Sequence, residues 1–128
     1  MSFGWIKAFL VVSGIYDGVL GVVFFLIPAT LYHFFAIAPP NHYAYVRFPA
    51  LLLILFGAMF LRAAADPLGR RDVLLYGAGL KISYCAVVFW YEFRHAIPSI
   101  WIPFAWLDLA FLLLFLLAWR ATAGAARA

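Results

Sequence analysis

Four long apolar runs constrain this chain more than any motif: Ile6 to Leu26, Tyr45 to Ala64, Val73 to Tyr91 and Pro103 to Trp119. Each holds about 17–21 residues, enough for a helix to cross a hydrocarbon layer about 30 Å thick. Helices satisfy their own backbone groups, which a lipid solvent demands. A closed barrel needs about eight or more alternating strands, and 128 residues without alternation cannot supply them. The chain is 69% hydrophobic, against about 45–50% for an average soluble domain, and a soluble domain of this size has too little interior to hide the excess. The expectation is an all-α integral membrane protein. Residues 1–128 would form one transmembrane domain, an antiparallel bundle of four helices at about 6–26, 45–64, 73–91 and 103–119.

The first run does not read as a removable signal peptide. It is longer than the usual 7–15 apolar residues, it contains Asp17, and bulky "LIPATLYHFF" follows it in place of small residues. Pro28 stops it, and Pro103 suits the first turn of the fourth helix. "DPLGRRD", Asp66 to Asp72, is a tight polar turn. Ala29 to Tyr43 and Glu92 to Ile102 are longer and rich in aromatics and prolines, and "LYHFFAIAPPNHY" reads as an interfacial stretch broken by Pro39-Pro40. The tail after Arg120 reads as frayed. Lys7, Arg62, Arg70, Arg71, Arg120 and Arg127 fall on one side of the runs, and Arg94 and Arg47 on the other. The positive-inside rule then sets both termini in the cytoplasm of a bacterial-type inner membrane. Tyr32, Tyr43, Tyr45, Trp90, Tyr91 and Trp101 would form the outer aromatic belt, with Trp5 and Trp119 on the inner side.

The runs carry ionisable residues at matching depths. With a rise of about 1.5 Å per residue, Asp17 and Asp108 each lie roughly 16 Å from the inner end of their helix, and Lys81 about 12 Å. Each such group at a span's centre costs roughly 2.5–3.5 kcal/mol on insertion scales, so it persists where it pairs or lines a functional cavity. The faces agree with one inward cluster. Gly14, Asp17, Gly18 and Gly21 share a stripe, as do Gly77, Lys81, Tyr84 and Val88. On the fourth run the stripe is Trp101, Phe104 or Ala105, Asp108, and Phe111 or Leu112. Arg47 sits higher, near the outer end of its helix. The candidate ligand-binding or buried polar cluster is Asp17, Lys81, Tyr84, Asp108 and Arg47. Two carboxylates against one lysine leave one without a close cation unless Arg47 reaches down, so the surplus group is protonated or awaits a cationic partner. The cluster also admits a purely structural reading, a salt bridge that fixes helix register.

Other chemistry is weaker in the sequence. His33, His42, His95 and Glu92 fall on the outer side in no tight metal-ligand spacing, so no metal is expected. No cofactor is expected either: the histidines are not placed for a bis-histidine haem, and the glycines follow no strand as phosphate loops do. The single cysteine, Cys85, excludes an internal disulfide and a C-x-x-C pair. The formal net charge of +4 comes from residues flanking the spans. It points to acidic lipid headgroups and not to nucleic acid.

The stretches "GIYDGVLGVVFFLIP" and "LLLILFGAMFLRAAADP" resemble the DoxX-like group of small bacterial membrane proteins. That resemblance implies a four-helix bundle acting as a subunit of a redox or stress-related assembly, and it assigns no functional residue. In layout alone, four spans with an acidic residue in the first, the chain is similar to small multidrug transporters. Three functions stay open. The first is a membrane subunit or a lipid- or apolar-ligand-binding module. The second is an intramembrane isomerase-like enzyme on an apolar lipid, with Asp17 or Asp108 moving a proton. The third is a proton-coupled cation transporter. The expected partners are membrane lipid, an apolar or cationic small molecule, and a second copy or another membrane subunit.

Orientation has a direct check. In a Cys85→Ala background, Gly69→Cys should react with an impermeant thiol reagent from the cytoplasmic side and Asn41→Cys from the outer side. The reverse pattern overturns the assignment.

Overall fold

The protein, here a computed structural model, is described over residues 3–94 and 97–127, with backbone alone at 126 and 127. In chain order the helices are α1 (Gly4–Leu26), α2 (Pro28–Phe34), α3 (Ala44–Ala65), α4 (Asp72–Arg94), α5 (Trp101–Ala121) and α6 (Ala123–Arg127). Among the described residues there is no strand. The four long helices are each long and apolar enough to cross a membrane, and they overrun the expected spans by at most a turn at either end. Many of their large apolar side chains face outward, Val12, Val19, Leu55, Val87, Leu113 and Leu117 among them. A lipid solvent covers such side chains; water would not.

The chain divides into two compact units, Met1–Ala65 and Asp66–Ala128. In the first, α1 and α3 run antiparallel at close range. A methyl group at Gly57 would lie 2.7 Å from the Gly14 carbonyl oxygen, and one at Gly21 would lie 2.5 Å from the Ala50 carbonyl oxygen. Backbone therefore meets backbone along the stripe of Gly14, Gly18 and Gly21, as small residues permit. Pro28 ends α1 and begins α2, where its fixed φ and missing N–H suit the first turn. The α2 helix closes with Ala36 N–H donating to His33 O and Ile37 N–H donating to Tyr32 O. This places Ala36 at φ 54°, where glycine is usual. The expected interfacial stretch is thus helical only in its first part. Pro49 lies inside α3 and removes one intrahelical donor near its start.

In the second unit α4 and α5 form another antiparallel pair. Leu74, Gly77, Ala78, Lys81, Cys85 and Val88 are buried on α4, and Ala105, Asp108, Phe115 and Ala118 on α5. The Phe115 ring lies where a side chain at Gly77 would project. Of the expected α5 stripe, Ala105 and Asp108 are buried, whereas Phe104, Phe111 and Leu112 are only partly so. The tail departs from the frayed expectation. Thr122 is fully buried, its hydroxyl donates to Ala118 O at 2.8 Å, and α6 follows.

The crowded and open glycines should behave oppositely. Gly57→Ala should destabilise the protein by about 1–3 kcal/mol, because backbone must move to admit the methyl group. Gly79, with nothing within 4 Å of an added Cβ, should accept alanine with no loss or a gain of up to about 1 kcal/mol from helix propensity. Thermal unfolding in detergent compares the two, and equal effects would remove the close-approach reading of α1 and α3.

Candidate functional site

In the second unit, Lys81 comes from the middle of α4 and Asp108 from the first half of α5. Lys81 Nζ donates to Asp108 Oδ1 at 3.1 Å. Lys81 is 0% exposed and Asp108 8%. Bulk water does not reach either charge there, and each group serves as a counter-ion to the other. Phe111, one turn beyond Asp108, sets its ring centroid 5.1 Å from Lys81 Nζ, a cation–π contact within the useful range. On the next turn of α4, the Tyr84 hydroxyl donates to Trp101 O at 3.1 Å, and the Cys85 thiol donates to Ala105 O at 3.4 Å. Three polar side chains on one face of α4 therefore engage α5 at successive heights.

In the first unit, Asp17 is 1% exposed on α1. Ser13, one turn earlier, is also buried, and its hydroxyl has no hydrogen-bond partner among the described residues. Arg47 does its work elsewhere in this unit. Its Nε donates to Phe25 O at 3.0 Å, so the guanidinium is held at the C-terminal end of α1, roughly 12 Å along the axis from Asp17. It satisfies one of the terminal carbonyls that a helix leaves unbonded, and its charge suits the negative end of the helix dipole.

The structure thus brings Lys81, Tyr84 and Asp108 together in one helix pair, and places Asp17 and Arg47 in the other unit at different levels of α1. It also shows a polar knot that sequence reasoning missed. Arg71 Nε donates to Thr122 Oγ1 at 2.7 Å, Nη2 donates to the Trp119 carbonyl, and the guanidinium carbon lies 3.4 Å from the Trp119 ring centroid. The available signal was an arginine at the start of one span and Trp-x-x-Thr at the end of its antiparallel neighbour. Reading it requires the register of the two helices.

Of the three histidines, the structure gives a side-chain contact to His42. His42 Nδ1 accepts from Ala44 N–H at 3.0 Å at the start of α3, and His33 lies in the last turn of α2. His95 lies outside the described residues. Among the described residues no three His, Cys, Asp or Glu side chains gather closely enough to hold a metal ion. Tyr32 on α2 meets Tyr43 edge-on, with ring centroids 5.7 Å apart. Burial first, and the neighbouring Tyr43 second, push its phenol above the ordinary value, so it remains a neutral hydroxyl. No protein-family description, curated protein or solved structure matches this chain.

Breaking the ion pair from one side should be costly. Lys81→Met leaves Asp108 without this partner and should destabilise the protein by about 3–5 kcal/mol, whereas the double substitution Lys81→Met/Asp108→Leu should recover much of that loss. Denaturant unfolding in detergent compares single and double variants. A silent Lys81→Met would show that the ammonium escapes to water and that the pair is not a buried one.

Proposed function

We propose that this chain is a small polytopic inner-membrane protein with cytoplasmic termini, serving as a subunit or a lipid- or apolar-ligand-binding module and not as an enzyme. The observation that carries the reading is the Lys81–Asp108 pair with its neighbours. Lys81, Tyr84 and Cys85 each donate to α5. Side chains committed to an adjacent helix fix register; a general acid or base must instead be within reach of a substrate proton. Many large apolar side chains are exposed along the long helices, and in a membrane module they meet lipid, a hydrophobic ligand or a partner subunit. In this reading the pair sits near the middle of the membrane, where it would hold two apolar helices in one fixed arrangement. The likeness of "GIYDGVLGVVFFLIP" to DoxX-like proteins is in keeping with a subunit role.

A second reading has its own support. The buried Ser13 hydroxyl without a hydrogen-bond partner lies one turn from the buried Asp17 carboxylate. Such a polar patch on an apolar helix is the kind of place where an isomerase would move a proton or a transporter would take up a cation.

The two readings separate on mutation. For a binding module or subunit, Ser13→Ala/Asp17→Asn should leave a tightly associated lipid or partner protein in place, as seen by mass spectrometry of the protein purified in mild detergent. For a transporter, the same variant should abolish proton-coupled cation uptake that the unaltered protein shows in liposomes. Uptake by the unaltered protein, lost in the variant, overturns the module reading.

A further inference from the structure

The end of the second unit where α4 begins and α5 finishes carries three arginines in two adjacent pairs of positions, Arg70-Arg71 and Trp119-Arg120. Arg71 is locked by the bonds to Thr122 and Trp119 and by its stacking on the indole. A guanidinium has five N–H donors, and these two bonds leave others for a further acceptor. Arg120 is exposed and Arg70 half-buried. Neither makes an ion pair among the described residues, although Asp66 and Asp72 are close in sequence. Asp66 is occupied in its own turn, where Oδ1 accepts from Gly69 N–H at 3.1 Å. Asp72 opens α4, where a carboxylate complements the helix dipole. The opposite end of this unit differs: it carries Arg94, which leans on the Trp90 ring at 5.1 Å, with Glu92 two residues away in sequence.

An indole with a guanidinium stacked on its face, flanked by two further arginines with no counter-ion among the described residues, is suited to the level of lipid headgroups. Trp prefers that level, and Arg binds phosphate oxygens through its planar fork. We propose that Arg70, Arg71 and Arg120 form a binding site for the phosphate of an anionic phospholipid, set at the α4-start and α5-end of the second unit. Arg71 is the rigid member, oriented by Trp119 and Thr122. Arg70 and Arg120 supply the charge that selects an anionic headgroup over a zwitterionic one. The proposal rests on the membrane-spanning reading above.

The test is native mass spectrometry of the full chain in detergent, titrated with phosphatidylglycerol and with phosphatidylcholine of the same acyl chains. Phosphatidylglycerol should bind about 25-fold more tightly, about fivefold for each of Arg70 and Arg120. Arg70→Gln/Arg120→Gln, which leaves the Arg71 knot in place, should bring it down to the phosphatidylcholine level. Arg94→Gln should change nothing. Equal binding of the two lipids by the unaltered protein, or an equal loss in Arg94→Gln, overturns the site. Full competition by millimolar inorganic phosphate also overturns it, since the occupant would then be a soluble anion. Failure of both lipids to bind would instead count against the membrane reading itself.

Discussion

A helix immersed in hydrocarbon has no water to complete its hydrogen bonds, and this constraint organises both units. The interior of each long helix is self-sufficient, but the carbonyls of its last turn are not. In each unit an arginine near the start of one helix resolves this for its antiparallel neighbour: Arg47 for α1 at Phe25, and Arg71 for α5 at Trp119. Placed there, a cation also faces the negative end of the neighbour's dipole. An antiparallel pair puts one helix's beginning beside the other's end, so a single long side chain can serve both chain direction and solvation.

The two units reach a fixed register by different physics. In the first, glycine removes the side chains and the backbones touch, so register depends on shape: Gly14 opposite Gly57, Gly21 opposite Ala50. Dispersion acts at close range there and gains nothing from charge. In the second, register is written in polar contacts from Arg71 through Lys81 and Tyr84 to Cys85, with Phe115 over Gly77 as a glycine-dependent contact between α4 and α5. An apolar interface alone can slide by a turn with little loss; an ion pair cannot.

Much of this was legible in the sequence, for identifiable reasons. Run length and composition gave the four membrane-length helices, because hydrocarbon thickness sets span length. Helical periodicity gave the glycine stripe and the face shared by Gly77, Lys81 and Val88. Comparing depths put Lys81 near the level of both Asp17 and Asp108 without choosing between them. What stayed hidden needed the third dimension. Arg47 was read as a group that could descend toward the carboxylates, since a sequence does not show that the end of α1 lies within its reach. The tail "ATAGAARA" was read as frayed, yet Thr122, bonded to both Ala118 and Arg71, continues the order past α5.

The bond from Arg47 to Phe25 joins two points that flank the whole of α2 and the irregular segment after it. It therefore acts as a clasp at the neck of a loop. With the neck held and the glycine contacts below it, the spacing of α1 and α3 does not depend on what the loop contains. Doubling the length of such a loop costs only about 0.6 kcal/mol of closure entropy. Insertions or deletions in the irregular stretch between Phe35 and Tyr43 should therefore leave the α1–α3 stem in place, a loop tied off at its base.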